Sequence, residues 1–254
     1  MSASVPDTLA GDAVAPHLCG RFGKPYLYEP ECESTQSLLL GSGLAEGATA
    51  VTDHQTGGRG RLGRRWEAPA GSSLLVSVML HPPAERHLPE VSLVAALAAA
   101  ETIEGATELS AQIKWPNDVM LNRRKVAGIL SELSDGTVVV GIGMNVNQTR
   151  EELPADTPTE AGSLSTLTGT SYDRAVLLGA LLDQLEQRYE GWRQGGLDDL
   201  YGDIGARDFL RGRRITVDGE AATATQILRD GRLEIATNAH ETRAIESGEV
   251  LFAR

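Results

Sequence analysis

The sequence is poor in the residues that staple, span or metallate a protein. Two of its 254 residues are cysteine, Cys19 and Cys32. That is too few for a disulfide framework and fits a reducing cytoplasm. No spacing of Cys and His suggests a metal cage. The most apolar stretch, Val91 to Ala100, falls far short of the ~20 residues a membrane-crossing helix needs, so no membrane association is expected. The first thirty residues lack a basic start followed by an apolar segment, so no secretory leader is expected. Positive charge is scarce in sum. A formal net charge of −12 argues against wholesale nucleic-acid binding, so any anion site must be a local basic island. Aromatic residues make up 4%, and Trp66 alone lies among clustered arginines, too little for a base-stacking platform.

What remains is an ordinary globular balance, 41% hydrophobic and 23% charged, long enough for one large domain or one large and one small. Residues 1–20, rich in Ala, Pro, Asp and Ser, read as a loose tail or a short helix. Strands are expected at Thr49 to His54, Ser73 to Leu80, Ala111 to Trp115, Val119 to Asn122, Lys125 to Leu133 and Thr137 to Gly143. Asp135-Gly136 would turn the last pair. An Ala/Leu-rich helix is expected over Val91 to Glu104. A second, over about 172–193, would be opened by a capping box at Thr170 and Asp173 and closed by Gly195-Gly196. Its Leu178, Leu181, Leu182, Leu185, Tyr189 and Trp192 fall on one stripe, which marks them as core. Beyond about Arg211, short β-like runs alternate with Asp218-Gly219, Asp230-Gly231 and Ser247-Gly248, the signature of a small all-β module. The expected organisation is a tail (1–20), a main domain (21–207) and a C-terminal module (208–254).

Four constellations carry chemistry. Gly57 to Trp66 interleaves Arg59, Arg61, Arg64 and Arg65 with glycine. Glycine lets backbone N–H groups approach a ligand and keeps the loop mobile, while guanidinium forks match phosphate and carboxylate oxygens. The Gly-Lys-Ser/Thr ending of a P-loop is absent. The second constellation joins Lys114-Trp115-Pro116-Asn117-Asp118 to Arg124-Lys125-Val126-Ala127-Gly128. Folded as a strand-turn-strand, it would aim Asp118 and Lys125 at one pocket. There the ammonium could neutralise an α-phosphate, and the carboxylate could orient an amine or bind Mg²⁺. A surface ion pair accounts for the same spacing equally well. The third, Gly141 to Asn147, supplies two strand-end glycines with Asn145 and Asn147, and taken alone reads as a tight turn. The fourth is Ser34-Thr35-Gln36 at a helix start, where a hydroxyl can serve as N-cap or touch a ligand, with Gln55 as a further neutral polar group.

Together these segments resemble class I biotin protein ligases of the actinobacterial kind, from about Pro25 to the C-terminus. The resemblance implies an α+β fold: a class II aminoacyl-tRNA synthetase-like mixed sheet with helices on one side, plus a small C-terminal SH3-like β-barrel. It implies ATP-dependent, AMP-forming activation of biotin and transfer to a lysine of a biotin carboxyl carrier domain of an acyl-CoA or pyruvate carboxylase, with Mg²⁺ held mainly by the ATP phosphates. It implies a biotin site of Ser34, Thr35, Gln36, Gln55, Arg59, Gly60, Arg61, Lys125 and Gly128. The ATP site it implies is Arg61, Arg64, Trp66 (packed near the adenine), Asn117, Lys125 and Asn145. Lys125, Asp118 and Arg61 would be catalytic. Gln36 departs from the Asn often found there in the family, which puts that contact in doubt. The leader is too short for the winged helix of the bifunctional members, so neither DNA binding nor repression is expected. Two other readings are a lipoate protein ligase of the same superfold and a non-enzymatic nucleic-acid binder that uses the arginine cluster.

Overall fold

The computed structural model describes residues 8–134, 136–155, 157–237 and 241–252. The first described elements are a short helix, α1 (Gly11–Val14), and a 3-10 turn (Ala15–His17). The elements β1 (Tyr26–Cys32), α2 (Thr35–Leu39), β2 (Thr49–Gln55) and β3 (Ser73–Leu80) follow. Next come α3 (Glu90–Thr107), β4 (Ala111–Lys114), β5 (Asp118–Leu121), β6 (Arg124–Ser134) and β7 (Thr137–Asn145). These seven strands form one sheet in the order β1-β2-β3-β7-β6-β5-β4. Only the β1–β2 pair is parallel, so the sheet is mixed but nearly antiparallel.

Strand β3 explains how the sheet is covered. All eight of its residues are buried, which is why its sequence is an almost unbroken apolar run. Leu74, Val76, Val78 and Leu80 meet the main core under α3 and under α5 (Arg174–Gly195). On the opposite face Met79 joins Leu39, Ala50 and Val139 in a second, small cluster beneath α2. The two long helices therefore own one face. The other is covered only at one end, and its uncovered part receives the site.

Helix α5 buries the expected stripe from Leu178 to Trp192. Its cap is one correction to the sequence reading. Asp173, not Thr170, is the N-cap, and its carboxylate accepts from Ala175 N at 2.8 Å and Val176 N at 3.3 Å. The segment before it stays out of the helix because Tyr172 exchanges two backbone hydrogen bonds with the Asn147 side chain. Two short elements that the sequence did not announce, α4 (Leu164–Thr168) and α6 (Tyr201–Ala206), flank α5. Nor did it announce β1, whose Glu29, Pro30 and Glu31 are exposed: this is a polar edge strand without apolar alternation.

The C-terminal strands β8 (Arg214–Val217), β9 (Glu220–Ile227), β10 (Leu233–Thr237), β11 (Thr242–Ile245) and β12 (Val250–Phe252) form a second sheet in the order β11-β10-β9-β8-β12. Every pair in it is antiparallel, which fits an SH3-like barrel. Its turns fall at Asp218-Gly219, Asp230-Gly231 and Ser247-Gly248, as the sequence indicates. Of the expected Asp135-Gly136 turn, Asp135 lies outside the described residues. No described helix is long and apolar enough to cross a membrane.

One buried ion pair ties α5 to the loop over the site. Arg174, 1% exposed, pairs with Asp53 at 2.8 Å and donates to Ser73 O at 3.1 Å. Gly71 N in turn donates to Asp53 O at 3.0 Å. One guanidinium thus clamps both stems of the 57–71 loop. Arg174→Met should lower the unfolding free energy by about 2 kcal/mol, because it takes the cation from a partly buried carboxylate that keeps the Tyr28 hydroxyl. A denaturant titration would show this as a lower midpoint at unchanged slope, and an unchanged midpoint would refute the clamp.

Candidate active site

All fourteen residues of the implied biotin, ATP and catalytic sites line one cavity of about 180 Å³ on the uncovered sheet face, and Asn147 does not. Its floor is bare backbone. Gly128 on β6 and Gly143 on β7 are register partners, and the Trp66 ring lies against both. A Cβ on Gly143 would stand 2.5 Å from that ring, and one on Gly128 would stand 3.0 Å from it. The indole Nε1 is buried there without a hydrogen-bond partner among the described residues.

A β-bulge brings the central charges together. On β6, Ala127 and Ile129 face the main core while Gly128 and Leu130 line the cavity. Strict alternation would send Lys125 into the core as well. The β5–β6 register instead shifts between Val119 and Met120. Val126 and Ala127 are then both buried in the core, and Lys125 is returned to the cavity side. Its Nζ reaches Asp118 Oδ1 at 2.6 Å and lies 5.6 Å from the Trp66 ring centroid. A second ammonium, Lys114 Nζ, is 3.6 Å from Asp118 Oδ2. Burial pushes the Asp118 carboxyl up, but Lys125 and Lys114 together outweigh it and hold the group below its ordinary value.

Above this pair the 57–66 segment folds into a small hairpin. Trp66 N donates to Gly58 O at 3.0 Å and Gly60 N to Arg64 O at 2.8 Å. Left-handed Leu62 and Gly63 form its tip, where Leu62 is 65% exposed. Arg61 points inward and donates to Asn117 Oδ1 at 3.2 Å. Burial pulls its guanidinium below the usual value, and nearby Asp118 partly offsets that. Arg59 turns to the rim and pairs with Glu132 at 2.8 Å. Arg64 pairs with Glu249, in the turn before β12, so the C-terminal sheet meets the lid.

At the other end of the cavity the neutral groups converge. Thr35 Oγ1 shares a 2.7 Å hydrogen bond with Ser77 Oγ, and Thr35 N donates to Gln55 Oε1 at 2.9 Å. Ser34 occupies the N-cap position of α2 without a side-chain cap bond. Gln36 is tied to the sheet, its Nε2 donating to Leu130 O at 3.0 Å. Asn145 lines the cavity with both ends of its amide engaged, Nδ2 to Gly162 O and Oδ1 from Gln148 Nε2. In this state Gln36 and Asn145 act first as supports. Asn117 similarly donates to Ile129 O at 2.7 Å. Sequence reasoning gave no role to Lys114, Ser77 or Glu249. Ser77 had a signal, as the one polar residue inside the Leu74 to Leu80 run. Glu249 had none, because it arrives from the C-terminal module.

The profile of the Biotin/lipoate A/B protein ligase family matches residues 31–148. A biotin--[acetyl-CoA-carboxylase] ligase of Mycobacterium tuberculosis is 33% identical, covering 82% of this chain and 80% of its own length. The structure of a biotin protein ligase from Aquifex aeolicus in complex with biotin and ATP superposes with a TM-score of 0.81 at 32% identity, covering 90% of this chain and 98% of the other. The chain belongs to this family, among its biotin protein ligases. It is also 35% identical to the bifunctional ligase/repressor BirA of Bacillus spizizenii over 70% of its own residues, and spans 58% of that relative's length.

Proposed function

We propose that the protein couples ATP to biotin as biotinyl-5′-AMP and passes biotin to a lysine of a biotin carboxyl carrier domain, with residues 21–207 as the catalytic unit and 208–254 as an accessory module. The observation that carries the reading is a Lys125–Asp118 pair on a glycine floor beneath an arginine lid. In activation, a biotin carboxylate oxygen attacks the α-phosphorus of Mg-ATP, the bond to the β-phosphate breaks, and pyrophosphate leaves. Two anions must meet, and Lys125, Arg61 and Arg64 supply the opposing charge. Magnesium enters with the nucleotide. Among the described residues no cluster of three or more His, Cys, Asp or Glu could cage a metal, and Asp118 already carries two ammonium groups.

In transfer, the acceptor amine attacks the activated carbonyl, a C–N bond forms, the C–O bond to phosphate breaks, and AMP leaves. Asp118 takes up or orients the amine proton. Ser34, Thr35 and Gln55 present neutral polar groups to the ureido ring, and Gly60 and Gly128 allow close approach. Gln36 and Asn145 shape the walls, and Arg59 and Trp66 close over the adenylate. The deciding experiment incubates the protein with ATP, a candidate carrier and either biotin or lipoate, and reads the carrier by intact mass. Addition of lipoate rather than biotin, or of neither, overturns the reading.

The lid hypothesis makes a separate prediction. A mixed anhydride hydrolyses, so the closed loop must retain it. Arg61→Gly should release free adenylate and label bystander proteins about tenfold above the wild-type level, as expected from losing one charge-assisted hydrogen bond. Normal retention of the adenylate by this variant would count against the lid.

A further inference from the structure

We propose that Lys114 is a positioning residue of the transfer step, holding the Asp118 carboxylate in place and in its anionic form once Lys125 turns to the phosphate of the adenylate. The inference rests on the biotin-ligase reading above.

Asp118 is 9% exposed and each of its oxygens faces a different lysine. The two lysines are not equivalent. Lys125 has a side chain 27% exposed to the cavity and reaches across the bulge from β6, so it is placed to swing toward a bound phosphate. Lys114 has a side chain 8% exposed, packed below Phe252 with its Nζ 5.9 Å from the ring centroid. It is also the register partner of Asp118 across the β4–β5 turn, so the backbone sets their separation. One cation opens onto the cavity and the other is packed beside it.

Composition points the same way. The chain holds three lysines, Lys24, Lys114 and Lys125, against twenty arginines, and two of those three meet on Asp118. An arginine fork at position 114 would engage both carboxylate oxygens, while an ammonium takes one and leaves the other for an incoming amine. The remaining charges around Asp118 belong to the lid. Arg61 interacts with it through charge, and Arg64, paired with Glu249, acts through charge on Lys114. Burial pushes the carboxyl up, and Lys125 and Lys114 pull it down. When a phosphate draws Lys125 away, Lys114 is the cation left in contact.

The test uses the full chain as wild type, Lys114→Met and Lys114→Arg. Pyrophosphate release reports activation, and transfer from preformed adenylate to a carrier domain is followed from acid to alkaline pH. In Lys114→Met the acid limb of the transfer rate should move up by about one pH unit or more, about tenfold at fixed acid pH, and recover at alkaline pH. In Lys114→Arg the limb should stay in place while the alkaline plateau falls about tenfold. A uniform loss in Lys114→Met with an unmoved limb would mean packing alone and overturn the proposal. Should that variant not fold, a wild-type plateau in Lys114→Arg overturns it equally. A wild type that releases no biotin-dependent pyrophosphate sinks the underlying reading itself, and the proposal with it.

Discussion

Lys125→Ala is expected to reduce biotin-dependent pyrophosphate release by about a thousandfold or more, roughly 4 kcal/mol of transition-state stabilisation. The reasoning is electrostatic. Activation forces a carboxylate against a phosphate, and Lys125 is the ammonium placed at the centre of the cavity, 2.6 Å from Asp118 and beside the Trp66 ring. Arg61 and Arg64 cannot replace it. Arg61 is held by Asn117 on the lid side, and Arg64 is engaged by Glu249. The substitution should leave the fold intact, because Asp118 retains Lys114 and the Lys125 side chain is not part of the core. Lys125→Arg tests the shape of the charge: it should recover little, because the guanidinium would grip Asp118 bidentately rather than leave it. Single-turnover pyrophosphate release separates this loss from slow product release. A rate within a few-fold of wild type would remove Lys125 from the chemistry.

Much of this site was legible in the sequence because its parts are local. The Arg/Gly loop and the Lys114 to Asp118 turn are contiguous segments whose residue types announce a need for anion binding and close backbone approach. Strand β3 and the buried stripe of α5 were legible because burial imposes a period or an unbroken run. What escaped depends on distance or on irregularity. Alternation along β6 would bury Lys125 with Ala127 and Ile129, and only the bulge reverses that. Glu249 meets Arg64 across 185 positions of chain. The cap of α5 shifted from Thr170 to Asp173 because Asn147, far away in sequence, captures the backbone of Tyr172. Edge strand β1 carries Glu and Pro for reasons of solubility that mask a strand pattern. The Gly141-Ile142-Gly143 segment reads alone as a tight turn for the same kind of reason: a glycine pair has meaning only once its neighbour across the sheet is known.

That neighbour makes Gly143→Ala the second large effect expected. Gly143 sits opposite Gly128, and the Trp66 ring rests on the backbone of both. A methyl group on Gly143 would come within 2.5 Å of Trp66 Cε2, closer than two carbon atoms can approach. The ring has no easy retreat. Trp66 N is bound to Gly58 O at 3.0 Å, and at Gly58 itself a Cβ would meet Trp66 O at 2.3 Å, so the hairpin backbone is held as closely as the ring. The indole must therefore lift by about 1 Å or turn, and the lid must move with it. Misplacement on that scale lowers turnover about a hundredfold, so kcat/KM for ATP should fall by that factor. Stability should fall by about 1–2 kcal/mol, because overpacking against the ring outweighs the gain of alanine over glycine in a strand. Gly141→Ala is the matched comparison. The three atoms nearest its Cβ would all belong to the Gln36 side chain, the first 3.0 Å away, and a side chain can give way more readily than a ring pinned between backbones. The readout is direct, because the Trp66 ring rests on the glycine floor, whereas Trp192 is buried in the core and Trp115, though it borders the cavity, is 1% exposed with its Nε1 bound to Gly231 O. Fluorescence on adding biotin and ATP should therefore respond strongly in the wild type and weakly in Gly143→Ala. A Gly143→Ala protein with wild-type kcat/KM and a wild-type fluorescence response would show that the glycine floor does not set the position of Trp66.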